Sequence, residues 1–181
     1  MAVDDAYSVL LMHMNGEDGS STFADEAGHT VTPYGAEIDT DQSKFGGASC
    51  LFDGVDDYAV ISDSNDFDFG TGDFTIDFWV RFSSLNTSSR EIMQRLDAGN
   101  PGGLNRMDLI MASNTMQFTA YTDGTQIASV SRSITISADN WYHVAIVGYS
   151  GQFLLFLGGV KQGASADRVN EGDMPYSGNV Y

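Results

Sequence analysis

Paired carboxylates are the first chemistry to seek in a chain with 20 aspartates and 5 glutamates. Alternate strand positions share a face, so Glu37-Ile38-Asp39-Thr40-Asp41 spaces its acids as acid–base chemistry on a sugar would need. No aromatic platform flanks it, and a solvated acidic loop is the competing reading. Glu171-Gly172-Asp173 is weaker, since Pro175 and Tyr176 follow. Asp77 and Asp108 would form a hydrolytic pair only if they faced each other across a cleft. Nucleophilic chemistry has little support. Cys50 sits beside Leu51 and Phe52 in an expected strand, where a buried, inert thiol is the default. His13, His29 and His143 are scattered, and His143 reads as a hydrogen-bonded strand residue rather than a general base. No phosphate loop and no Cys/His zinc spacing occurs.

Calcium is the expected ion, because it takes hard oxygens from Asp, Asn and backbone carbonyls. Asn15, Asp18 and Asp25 bracket a glycine-containing loop and form the first candidate site. Asp53, Asp56 and Asp57 form the second. Against both stands the habit of Asp in such turns of capping backbone amides. Asp63 to Asp77 also carries spaced acids, but Thr71 stands where an EF-hand loop needs its glycine. Sugar binding needs exposed rings beside polar groups. Trp79, Tyr121 and Tyr149 are the candidates, each on a strand's outer face, at a strand end or in a loop. The competing expectation is that Trp79 and Trp141 pack inside the fold.

These side chains must be positioned by strands. No stretch sustains a 3.6-residue apolar period, whereas alternation recurs. Phe74, Ile76, Phe78, Val80 and Phe82 point one way, and Thr75, Asp77, Trp79 and Arg81 the other. Further strands are expected at Tyr7 to Met14, Ala48 to Phe52 and Tyr58 to Ile61. Arg106 to Met111, Met116 to Tyr121, Gln126 to Val130, Trp141 to Val147 and Gln152 to Leu157 complete the set, joined by Gly, Asp and Asn turns. Ser83 to Gly103 reads as a long loop with one short element near Arg90 to Leu96, and its Arg90, Arg95 and Asn100 could border a site. Lys161 to Gly178 reads as a second loop. The fold class is all-β, an antiparallel two-sheet β-sandwich of jelly-roll type. A single domain over residues 1–181 is expected, since there is no repeat and no linker.

Composition narrows the partners. The 181 residues carry 8 Lys plus Arg against 25 Asp plus Glu, a net charge of -17. Such a chain is a poor ligand for nucleic acid or an anionic membrane. With 42% hydrophobic residues it can build a core, and its one Cys excludes an internal disulfide. Met1 to Asp5 has no secretory-signal pattern, so export by another route, such as assembly into a virus particle, is expected if the protein leaves the cell. On that expectation, Asn86-Thr87-Ser88 is not a glycosylation site.

Four ordered segments carry a resemblance. They are Phe45-Gly46-Gly47-Ala48-Ser49 running into Leu51 to Tyr58, Asp73 to Val80, Trp141-Tyr142-His143-Val144-Ala145, and Phe153 to Val160. Together they resemble the laminin-G-like, concanavalin A-like lectin/glucanase jelly roll. His13 to Ser20 looks most like the form in phage and marine-microbial structural proteins. Glucanases of this fold use paired carboxylates on one strand, but Asp41 stands where their signature has Glu, and the resemblance places a connecting loop there. The resemblance also implies calcium on a rim of the sandwich. It implies a non-enzymatic virion surface, decoration or fibre module that contacts a host-cell glycan, and it admits a homotrimer. Alternatives are an accessory carbohydrate-binding domain of a secreted or cell-surface protein, including a bacterial cell surface, and a structural protein–protein adaptor. Gly158 and Gly159 stand together where the family usually has a polar residue before the turn glycine. The family usually continues beyond a segment like Ser177-Gly178-Asn179-Val180-Tyr181, so the last strands are expected from a capsid or tail partner or from the protein's own C-terminal remainder.

Overall fold

Strict alternation along Phe74–Arg81 becomes a strand with one apolar face turned inward. The computed structural model describes residues 7–70, 72–85, 89–96 and 105–164. Their strands are β1 (Val31–Tyr34), β2 (Glu37–Asp39), β3 (Ser49–Leu51), β4 (Tyr58–Ile61), β5 (Phe74–Arg81) and β6 (Ser89–Leu96). The rest are β7 (Arg106–Ala112), β8 (Thr115–Thr122), β9 (Thr125–Ser133), β10 (Trp141–Tyr149), β11 (Gln152–Leu157) and β12 (Val160–Ala164). A 3-10 turn occupies Asn65–Phe67, and the described residues contain no α-helix. The chain divides into two compact units, the first closing at Phe67 and the second opening at Asp68.

The second unit holds the sandwich. One antiparallel sheet runs β12-β11-β10-β5 and the other β6-β7-β8-β9. Between them lie Met107, Leu109, Met111, Met116, Phe118, Val130, Val144, Ile146, Phe153 and Leu155, with Phe74, Phe78 and Val80 packed against them. Phe118 and Phe153 meet across the layer with ring centroids 4.9 Å apart. Burying such side chains contributes roughly 1.5–3 kcal/mol each. Tight turns set the hairpins. Asp123 and Gly124, and likewise Ser150 and Gly151, both have positive φ, matching the right-handed twist of the strands they join. Gly148 is required for another reason: a Cβ there would overlap the Phe74 ring on the paired strand.

The first unit is built from shorter ladders, β1 with β4 and β2 with β3, both antiparallel. Phe23, Ala36, Ile38 and Ala48 form its core.

Five elements depart from expectation. Tyr7 to Met14 makes only an isolated bridge, Met12 to Asp25, because the Leu11 amide is taken by the Asp25 side chain and not by a neighbouring strand. Glu37–Asp39, read as loop, is strand β2; Ile38 is buried and the segment pairs with β3. The first residues of the second expected loop, Lys161 to Ala164, belong to strand β12, paired with β11 beyond the Gly158-Gly159 turn. Strand β1 has no sequence pattern of its own, because Pro33 lies within it and a Pro argues against strand assignment. The short element expected near Arg90 to Leu96 is the eight-residue β6.

Candidate functional site

The β5–β10 ladder places a group of large polar and aromatic residues on the outer face of its sheet. Its register pairs Arg81 with Trp141, Trp79 with His143 and Asp77 with Ala145. Phe74, Phe78 and Val80 occupy the inner face, so alternation drives Asp77, Trp79 and Arg81 outward. Trp79 is 38% exposed. Its indole lies against the His143 ring, centroids 5.3 Å apart and tilted by 42°. His143 reaches diagonally along the ladder, with Nε2 2.7 Å from Asp77 Oδ2. Arg81 pairs with Asp139 at the next level. An exposed indole flanked by carboxylates, an imidazole and a guanidinium can stack on the C–H face of a sugar ring and hydrogen-bond its hydroxyls. The expectation that Trp79 and Trp141 pack inside the sandwich is thereby corrected: neither is in the inter-sheet core. His143 is the hydrogen-bonded strand residue that its surroundings implied.

The other two aromatic candidates lie elsewhere. Tyr149 is 58% exposed at the end of β10, beside the β10–β11 turn. Tyr121 is on β8, beneath the Arg106 guanidinium at 3.9 Å from its ring centroid, and its hydroxyl donates to Gln126 Oε1. Trp79 and Tyr121 therefore belong to the outer faces of opposite sheets.

A polar network surrounds Tyr121. Asp108 is only 4% exposed, although it points away from the core residues Met107 and Leu109. It accepts from Gln94 Nε2 at 3.0 Å, Arg106 Nε at 2.8 Å and Thr119 Oγ1 at 3.3 Å. The same Gln94 amide reaches Glu91 Oε1 at 2.9 Å. Glu91 keeps an exposed position on β6, yet partial desolvation, then the nearby Asp108 charge, pushes its carboxyl above its ordinary value. The hydrogen bond to Asp108 raises the Arg106 pKa. The network joins β6, β7 and β8, and its donors converge on Asp108, which ties the strands together. Asp77 and Asp108 point from opposite outer faces, so they do not form a hydrolytic pair. Nor do Arg90 and Arg95 border an open site together. Arg95 is buried, paired with Asp68 at 3.0 Å and over the Phe69 ring; Arg90 lies over Phe82 and donates to the Ser84 carbonyl. Asn86 to Ser88, Asn100, Glu171 to Tyr176 and Ser177 to Tyr181 lie outside the described residues.

The first calcium candidates have separate neighbours. Asn15 packs its amide on Gly46. Asp18 Oδ1 accepts from the Thr40 amide and hydroxyl at 3.0 and 3.1 Å. Asp25 accepts from the Leu11 amide and from His29. In the second set, Asp53, Asp56 and Asp57 each offer a carboxylate oxygen within 4.8 Å of the others. Asp57 also receives the Asp53 amide, and Asp53 receives the Val55 amide, closing the turn. Gly35 makes room for this turn, since a Cβ there would strike the Asp57 carboxylate. Hard oxygens on a short turn suit a calcium ion. Cys50 lies close enough to feel Asp57; burial first, then that charge, pushes its thiol up to about 12. Sequence reasoning missed one cluster, His29 between Asp25 and Asp66, because Asp66 is 37 residues away along the chain.

Comparison with known proteins agrees with this architecture. The family model described as the concanavalin A-like lectin/glucanases superfamily, in its laminin G form, matches residues 53–179. No curated protein sequence matches. The fold is similar to the botulinum neurotoxin serotype G binding domain, with TM-score 0.72, 14% identity, and coverage of 95% of this chain and 42% of that one. It is also similar to the serotype D binding domain, with TM-score 0.69, 10% identity, and coverage of 90% and 40%. A third similar structure is residues 221–444 of an S-layer domain-containing protein from Clostridium thermocellum ATCC 27405. There the TM-score is 0.55 at 23% identity, covering 90% of this chain and 72% of that one. The chain thus spans about two fifths of the neurotoxin binding domains, whose likeness is one of fold. With the matched model extending over most of its length, the chain belongs to the concanavalin A-like lectin/glucanase superfamily.

Proposed function

We propose that this chain is a non-enzymatic binding module that recognises a glycan through the outer face of β5 and β10. The observation that carries this reading is the part-exposed Trp79 indole held against His143, with the Asp77 carboxylate 2.7 Å from the imidazole. Stacking on an indole and hydrogen bonding to charged neighbours are the two interactions by which proteins hold sugars. Asp77 and a net charge of -17 favour neutral sugars over sulfated ones. The binding role also draws on the neurotoxin domains of similar fold, one of which is a receptor binding domain. Tyr149, at the end of β10, is a secondary aromatic contact under this reading, whereas Tyr121 on the opposite sheet is not part of the site. The setting we propose is a virion surface, with a capsid or tail protein as the anchoring partner. The S-layer-domain structure of similar fold supports the alternative of a bacterial cell surface. Calcium, where it binds, is proposed at Asp53, Asp56 and Asp57, whose oxygens converge.

A glycan array probed with the full chain and with Trp79→Ala tests the proposal. Binding to neutral glycans that is lost in the variant supports it. Absence of binding to any glycan, or equal binding by the variant, overturns it.

A further inference from the structure

Both ring nitrogens of His29 face carboxylates. Nδ1 is 2.7 Å from Asp25 Oδ2, and Nε2 is 3.0 Å from Asp66 Oδ2. Asp25 and Asp66 belong to different segments: Asp25 lies four residues before His29, and Asp66 lies in the 3-10 turn Asn65–Phe67. A neutral imidazole carries one N–H and can donate to only one of the two; the imidazolium donates to both. The two ends are not equally anchored. Asp25, its side chain fully buried, also accepts the Leu11 amide at 2.7 Å and the His29 amide at 3.0 Å. The Asp66 side chain is 54% exposed, and its other partner is the Ser64 hydroxyl. Loss of the proton therefore leaves the Asp25 contact in place and withdraws the donor from Asp66.

We propose that His29 is a proton-operated clasp, which when charged ties the 3-10 turn Asn65–Phe67 to the Asp25–His29 loop and when neutral releases that turn. The Phe67 ring, 4.8 Å from the imidazole, is part of what the clasp holds. Asp25 from the loop and Asp66 from the turn are the charged groups that the imidazole meets. Hydrogen bonding to Asp25, followed by the contribution of Asp66 against the opposing effect of burial, raises the His29 pKa above 6.5. Because the closed clasp binds the proton more tightly than the open one, closure is favoured at low pH and weakens as pH rises through the raised value.

The test is NMR titration of the His29 ring in the full chain, with amide hydrogen exchange followed across the same pH range. The expected titration midpoint lies above 6.5, and Asp66→Asn moves it down. Exchange of the Phe67 amide, which donates to the Ser64 carbonyl at 3.0 Å, should accelerate by up to about tenfold per pH unit beyond the intrinsic rate in that window. The Leu11 amide, held by Asp25 Oδ1, should not follow it. In His29→Gln the Phe67 acceleration should vanish. A His29 midpoint at the ordinary value, unmoved by Asp66→Asn, or Phe67 protection that is constant across the midpoint, would overturn the clasp.

Discussion

Trp79 and His143 stand opposite each other in the β5–β10 register, their rings 5.3 Å apart, and His143 in turn holds Asp77 at 2.7 Å. The pair lies on the outer face of a sheet whose inner face is filled by Phe74, Phe78 and Val80. Function can thus be altered there without disturbing the core.

Trp79→Ala should weaken glycan binding by about two- to tenfold from the ring contact alone, which is worth roughly 0.5–1.5 kcal/mol beyond its buried area, and the lost area adds to that. Its unfolding temperature should move little, since the indole is outside the core cluster. Titration calorimetry and thermal unfolding on the same preparation measure the two effects. A large loss of stability would mean that the indole supports the fold.

Asp108→Asn should be costly. It removes the charge opposite Arg106 and places an amide where Gln94, Arg106 and Thr119 all donate. Asp108 is buried but the Arg106 side chain is 31% exposed, so the loss is that of unsatisfied donors, about 1–3 kcal/mol, measurable by urea unfolding. A loss under about 1 kcal/mol would show that water replaces the carboxylate there.

Glu91→Gln should act in the opposite sense. The Glu91 carboxyl is raised by partial desolvation and then by the Asp108 charge. The folded state therefore binds its proton more tightly, and the associated stability is present below 4.5 and lost as pH rises through the raised value. Removing the charge should bring a small gain at pH 7 that disappears below pH 4.5. Unfolding midpoints of both proteins across that range decide it; an equal gain at every pH would mean that ionisation is not the cause.

Calcium should raise the unfolding temperature, and a chelator should reverse the rise. Asp53→Asn together with Asp57→Asn should abolish the response if the converging carboxylates hold the ion. A response that survives in the double variant, yet is lost in Asp18→Asn, would move the site to the loop that carries Asp18.

Cys50 should resist alkylation in the native protein at pH 8. With its thiol pushed up to about 12, the thiolate is scarce. Mass spectrometry after iodoacetamide treatment should find the thiol unmodified until the chain is unfolded in denaturant. Rapid native labelling would contradict a thiol raised that far.

Much of this protein is legible in its sequence because strand alternation is a local property. Phe74 to Arg81 announces which residues face inward, and Asp123-Gly124 and Ser150-Gly151 announce where the chain reverses. The family is legible too, from motifs that are themselves strands and turns. Short ladders were less visible. β1 carries a Pro, and β2 has a single buried residue, Ile38, so neither repeats long enough to show a period.

What only the tertiary structure decided is adjacency. Alternation says that Trp79 points away from Phe78, but only the β5–β10 register sets it beside His143 and brings Asp77 within hydrogen-bond reach. Asp77 and Asp108 each read as an outward acid, and only the assignment of β5 and β7 to different sheets shows that they point apart. His29 meets Asp66 across 37 residues of chain. Local pattern determines which way a side chain faces. Which other side chain it meets depends on strand pairing and loop closure between distant segments, and no local spacing encodes those.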